Sequence, residues 1–249
     1  MNVKVAPFQR RTVSFVRRES PLGPQVQRAW DENYESLVID VPRTEASMSV
    51  APGFELDALR EFGRVAPLVV EIGSGTGDAV VNGARSRPGM NFLAVEVYAT
   101  GLAATVTKIV HHNLTNVRLV HADGVEVLEH MLRRQSVAEL WIFFADPWHK
   151  NRHRKRRLVN PAFAELAASR LAPGGTLRLA TDWADYAIQM RDVLAACDSL
   201  TNPHVDPAPD LGASRTGFAP RFSGRVMTRF EEKGLASGRA IYDLELRRA

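Results

Sequence analysis

Four carboxylates recur along the chain at Glu71, Glu96, Asp123 and Asp146, separated by 25, 27 and 23 residues. Each stands at or just after the end of an apolar run with strand character, so all four are expected to face one crevice. Glu71 opens EIGSGTGD, a loop in which Gly73, Gly75 and Gly77 let backbone approach a ligand closely. Such loops also hold dinucleotides, but here Asp78 takes the place of the third glycine of G-x-G-x-x-G and would repel a pyrophosphate. Four acids suit a ligand carrying a sulfonium and an ammonium, with ribose hydroxyls and an adenine amine as further donors. S-adenosylmethionine has that chemistry, and the acid count disfavours a nicotinamide oxidoreductase.

The fourth acid begins DPWHKNRHRKRR. Asp146 is expected at the mouth of the crevice, Pro147 stiffens the turn, and Trp148 offers a face for stacking a base. Six cations follow within eight residues, from Lys150 to Arg157, with no acid among them. His149 and His153 could ligate a metal in isolation; among these cations they read as phosphate contacts, and no metal is expected. ATDWADY repeats the arrangement, with Asp182 at a strand end beside Trp183, although Asp182 could merely cap the next helix. The net charge of +4 conceals a sharper pattern. Residues 1–30 carry +5, residues 147–160 carry +6, and the remainder carries −7. An acidic body with two basic patches is the footprint of a polyanion binder.

These residues need a scaffold that brings strand ends together. Apolar β-rich runs at 68–72, 92–97, 117–121, 140–145 and 176–181 alternate with amphipathic stretches near 77–87, 99–112, 124–135, 158–171 and 183–197. Strands buried on both faces and alternating with helices imply an α/β fold. We expect a Rossmann-like doubly wound, mostly parallel seven-stranded sheet with helices on both faces. A closing strand is expected at 240–246, residues 1–50 form a basic N-terminal extension, and 51–249 form the domain. Residues 201–224, rich in Pro, Gly, Asp and Ser, read as a long mobile connection. The 249 residues, with 45% hydrophobic content and mean hydropathy −0.17, exclude disorder-dominated and collagen-like chains. No run approaches a membrane span, the N-terminus lacks a signal-peptide apolar core, and Cys197 alone excludes a disulfide framework. A cytoplasmic protein is expected.

EIGSGTG, Glu96, ADPWHKNRHRKRRLVNP, LATDWADYA, TRFEEKG and the SFVRRE of the N-terminal extension together resemble the bacterial tRNA (guanine-N7-)-methyltransferase family. The resemblance covers most of residues 10–246, and DPWHK with its basic run is the most specific part. It implies an S-adenosylmethionine-dependent enzyme that methylates N7 of a variable-loop guanosine, position 46, in tRNA. By motif position, Glu71, Gly73, Gly75, Gly77, Glu96, Asp123 and Asp146 would hold the cofactor, with Asp146 also catalytic. Lys150, Asp182, Thr228, Arg229, Phe230 and Glu231 would contact the substrate. Lys150, Asn151, Arg152, His153, Arg154 and Lys155 would line the RNA path. Lys233 departs from the family, which more often has Arg there. No obligatory protein partner is implied, and monomer and homodimer both stay open. Two other readings are weaker. A methyltransferase for an exocyclic amine favours a second proline where Trp148 and His149 stand, and an inactive RNA-binding relative would not need an intact acid set.

Overall fold

The computed structural model describes residues 21–205 and 216–249. Lys4, Arg10, Arg11, Arg17 and Arg18 of the expected basic extension lie outside the described residues, as does the middle of the 201–224 connection. The strands are β1 (Leu68–Ile72), β2 (Asn91–Glu96), β3 (Val117–His121), β4 (Val137–Phe143), β5 (Leu171–Thr181), β6 (Leu200–Thr201) and β7 (Tyr242–Arg248). They form one sheet in the order β3-β2-β1-β4-β5-β7-β6. The first five run parallel, and β7 lies antiparallel between β5 and the short β6. The expected doubly wound sheet is therefore present, with the winding direction changing between β1 and β4. At such a switch point the carboxyl ends of neighbouring strands open a crevice.

Side chains alternate across the sheet with period two. Val69, Phe92, Ala94, Leu119, Trp141 and Phe143 join one apolar cluster, while Val70, Leu93, Val95, Val120, Leu140 and Ile142 join the other. The first cluster is covered by α1 (Pro24–Leu37), α3 (Asp78–Ser86) and α4 (Ala99–His111). The second is covered by α6 (Pro161–Arg170) and α7 (Ala184–Ala195), with the short α2 (Ala58–Phe62) at its margin. The helix expected at 124–135 is a single turn, α5 (Gly124–Glu126), that continues as a π-turn over 127–131. A last helix, α8 (Arg229–Ala236), precedes β7.

Two segments expected to stand apart from the body are packed against it. The helix α1 begins with Pro24 in its first turn, where a missing N–H costs nothing. It lies on α4, and the chain beyond it joins the sheet: Val38 bridges Leu119 in parallel, and Ile39 N–H donates to the Leu119 carbonyl at 2.8 Å. The folded unit thus extends well before residue 51. Within the 201–224 connection, Phe218 and Ala219 are buried, and Ala219 N–H donates to the Asp243 carbonyl of β7 at 2.9 Å. Among the described residues no helix is long and apolar enough to cross a membrane.

Trp141 sits at the centre of the first cluster. It is fully buried, lies edge-on to Phe92 and Phe222, and donates its indole N–H to Glu139 at 2.9 Å. Trp141→Ala is expected to cost about 3–5 kcal/mol. The loss should appear as a lower denaturant midpoint with an unchanged slope, the mark of a stability change without a change in exposed area.

Candidate active site

Glu71 is the fourth residue of the central strand β1 and takes the position after Val70, on the face of Val69. Only 4% of it is exposed. The backbone N–H of Val80 in α3 serves its carboxylate, yet its Oε2 is buried without a hydrogen-bond partner. Burial, reinforced by the nearby charges of Glu96 and Asp78, pushes its pKa up to about 8 from an ordinary 4.5, against the lowering effect of the Val80 amide. An acid in this state accommodates an entering cation, because the cation replaces the missing water.

The glycine loop following Glu71 is held from three sides. Glu96 at the end of β2 accepts the Gly75 amide at 2.7 Å with one oxygen, and the Val97 and Tyr98 amides at 2.8 and 2.9 Å with the other. Lys108 of α4 pairs with Asp78 and donates to the Thr76 carbonyl at 2.8 Å. Gly77 has φ +76, and a Cβ there would lie 2.4 Å from the Thr105 side chain, so the loop meets α4 where only glycine fits. At Gly75, φ +56, an added Cβ would meet open space, so the backbone there is open to a ligand. The neighbouring Ser74 hydroxyl is buried and also lacks a partner. Asp123, beyond β3, accepts the Val125 amide at 2.8 Å and caps α5. Asp146, beyond β4, is exposed. Glu71, Glu96, Asp123 and Asp146 therefore stand at the carboxyl ends of four adjacent strands. The orphaned oxygen and the open glycine backbone fit a ligand that brings both positive charge and hydroxyl donors.

The turn after Asp146 is the second part of the site. Phe144 and Trp148 both hold left-handed backbone, with φ of 56° and 44°. Such conformations are uncommon for bulky residues and collect at functional sites. Residues 151–156 form a 3-10 turn in which Asn151, Arg152, Arg154, Lys155 and Arg156 are exposed, as is Lys150 just before it. Arg156 lies over the Trp148 ring, 5.0 Å from its centroid, and Arg154 reaches Asp185 at 3.3 Å. Partial burial and the surrounding cations Arg156, Arg152, Lys150 and Lys155 lower the pKa of His153, which keeps its imidazole neutral. Arg157 is the exception in the run: it is 3% exposed and cannot reach a phosphate. Spacing and charge alone group it with its neighbours.

Asp182, beyond β5, does not cap α7, whose N-cap is Trp183 without a side-chain bond. It accepts from Arg239 Nε at 2.8 Å and lies against Gly234 of α8, where a Cβ would come within 3.0 Å. Asp182 and the late TRFEEKG segment are thereby brought together. Within that segment Phe230 is exposed, but Thr228 accepts the Glu231 amide at 3.2 Å as the N-cap of α8. Glu231, expected at the substrate, is 1% exposed. It pairs with Arg221 at 2.9 Å and with Arg225 at 2.5 Å, while Arg225 also pairs with Asp243 of β7 at 2.8 Å. Burial alone would raise the Glu231 pKa, but the two guanidiniums outweigh it and hold the carboxyl below its usual range. Through Arg225 these pairs link α8 to β7. Arg221, Arg225 and Asp243 carry no motif signal and escape sequence reasoning, because their partnership with Glu231 joins the end of the connection, α8 and β7, which meet only in the fold.

The protonated state of Glu71 has a consequence for the free protein. Unfolded Glu71 ionises near 4.5, while the folded group holds its proton to about 8. The contribution to stability is therefore fully present below about pH 4.5 and is lost as pH rises through about 8. Between those two values stability falls by roughly 1.4 kcal/mol for each step of one in pH. Glu71→Gln is expected to remove this decline, as read by denaturant unfolding across that range. Equal slopes in the two proteins would assign the ionisation to another group.

A family model described as "Putative methyltransferase" matches residues 65–244. The tRNA (guanine-N(7)-)-methyltransferase of Arthrobacter sp. (strain FB24) is 46% identical over 276 aligned residues, covering 96% of this chain and 86% of that protein. Its counterpart in Cutibacterium acnes (strain DSM 16379 / KPA171202) is 48% identical over 240 residues, covering 96% of this chain and 84% of that one. A solved structure, the 16S rRNA methyltransferase KamB, superposes with a TM-score of 0.50 at 16% identity, over 76% of this chain and 93% of that one. That last likeness is one of fold. The extent and identity of the first two matches are of another order: this chain belongs to the tRNA (guanine-N7-)-methyltransferase family.

Proposed function

We propose that the protein transfers the methyl group of S-adenosylmethionine to N7 of guanosine 46 in the variable loop of tRNA. The carrying observation is the meeting, at one sheet edge, of a carboxylate crevice with a turn of exposed cations. Glu71, Glu96 and Asp123, with the backbone of Gly73, Gly75 and Gly77, would hold the cofactor. When bound, it supplies an electrophilic methyl on a positively charged sulfur. The names of the relatives support tRNA and N7 as substrate and position.

Guanine N7 carries a lone pair and no proton, so no side chain has to act as a base. The residues need only hold the acceptor in line, a positioning task. Asp146, at the catalytic position, and Asp182 face the charge that guanine gains as the methyl arrives. Their oxygens can also accept the guanine N1–H and N2–H₂, a donor pair that adenine lacks. Arg239 shares Asp182 and holds its carboxylate in place. Lys150, Asn151, Arg152, His153, Arg154 and Lys155 border the RNA path. By motif position Thr228, Arg229, Phe230 and Glu231 would meet the substrate side, Glu231 from within its ion pairs with Arg221 and Arg225.

Incubation with tRNA and methyl-labelled S-adenosylmethionine, followed by nucleoside mapping, is expected to give 7-methylguanosine at position 46; label on any other atom refutes the reading. Asp146→Ala and Asp182→Ala should each lower kcat by roughly 100-fold or more. If Lys150, Arg152, Lys155 and Arg156 each neutralise a phosphate, log K for tRNA should fall with log salt at a slope of about −3 to −3.5. Arg152→Ala and Lys155→Ala should each flatten that slope by about 0.7–0.9.

A further inference from the structure

Arg157 ends the basic run and is turned inward. Its Nε donates to the Pro147 carbonyl at 2.8 Å, Nη1 to Gln189 Oε1 at 2.6 Å, and Nη2 to Asp185 Oδ2 at 2.6 Å. The guanidinium carbon lies 4.8 Å from the centre of the Tyr186 ring, and the Tyr186 hydroxyl in turn accepts the Val159 amide at 3.1 Å. One rigid fork thus joins the loop after β4 to two successive turns of α7.

That loop needs an external hold. Proline has no N–H, so the carbonyl is the only backbone hydrogen-bonding group by which Pro147 can be fixed. The peptide after Pro147 leads into Trp148, whose left-handed φ of 44° persists only where surroundings over-determine it. The Pro147 carbonyl belongs to that peptide. On the other side, α7 starts directly after Asp182 and Trp183, and Trp183 lies 4.8 Å from the His149 ring. The loop bearing Asp146 and the helix that begins beside Asp182 are therefore bridged by the Arg157 side chain, with the His149–Trp183 contact and the Arg154–Asp185 pair beside it.

We propose that Arg157 is a positioning residue for methyl transfer, fixing the Pro147–Trp148 peptide and thereby the mutual placement of Asp146, Trp148 and Asp182. This rests on the activity proposed above. Lysine keeps the charge but loses the fork, so Arg157→Lys separates orientation from electrostatics. It is expected to lower kcat about tenfold or more. The tRNA dissociation constant should stay within about twofold, with the wild-type salt slope. In 5-fluorotryptophan-labelled protein, the Trp148 fluorine resonance, assigned with Trp148→Phe, should shift while those of Trp30 and Trp141 stay.

Weaker tRNA binding with a slope flattened by about 0.7–0.9 would make Arg157 a phosphate contact and overturn the proposal. So would wild-type kcat with an unmoved Trp148 resonance. Should Arg157→Lys fail to fold, Asp185→Asn decides, since it weakens one arm of the fork from an exposed helix position. A smaller kcat loss and Trp148 shift in the same direction support the proposal, and no change in either overturns it. The resonance and tRNA affinity are read without turnover. A wild-type protein that makes no 7-methylguanosine therefore refutes the activity, while the Trp148 resonance still decides the positioning.

Discussion

A carboxyl group shut away from water at the end of the central strand, with one oxygen unserved, sets the character of the entire carboxyl edge. Glu71 cannot ionise cheaply there, and Glu96 and Asp78 add to the cost. Glu96 has resolved its own charge through three backbone amides, and Asp78 through Lys108 and Thr76. Glu71 has only one such donor. The proton that Glu71 keeps stands where a positive charge would otherwise be needed, and under the proposed function the cofactor supplies that charge. The glycine loop, the packing of α4 and the reach of Lys108 all hold the backbone around that deficit.

The arginines divide into two populations by what surrounds them. Arg152 and Arg156 remain at the surface. Arg157 and Arg225 are buried, Arg157 against Asp185 and the Tyr186 ring, Arg225 against Glu231, Asp243 and the Phe144 ring. Removing one partner from such a cluster leaves a desolvated charge, so these arginines fix geometry more strictly than an apolar contact would. Arg225 also lies over Phe143 and Phe144, just before the Asp146 turn. That turn is accordingly gripped from both ends, by Arg225 ahead of Asp146 and by Arg157 behind it.

Much of this is legible in the sequence, for physical reasons that also mark where legibility stops. The five parallel strands can be recognised because both their faces are covered, which forces continuous apolar runs. Strand-end acids and the glycine loop are visible because their spacing follows the strand-helix repeat. The helix α1 escapes such a reading, although Trp30, Tyr34 and Leu37 follow helical spacing, because abundant polar residues obscure its apolar stripe. The π-turn at 127–131 leaves no local signature. Residues 216–225 look like linker by composition, yet Phe218, Ala219 and Arg225 are buried by contacts with β7 that composition cannot express. The burial of Arg157 and Glu231 is invisible in the sequence, because residue type reports charge and not direction.

The pairing of Val38 with Leu119 carries a consequence beyond the site. A parallel sheet exposes unsatisfied N–H and C=O groups along its outermost strands, a template for uncontrolled accretion of other chains. Here one margin ends in the two-residue β6, too short to recruit a neighbour, and the other is capped by residues 38 and 39. The segment leading out of α1 is thus a guard rail on β3. Trimming the chain past Ile39 would bare a hydrophobic border and trade a well-behaved sheet for one prone to clumping.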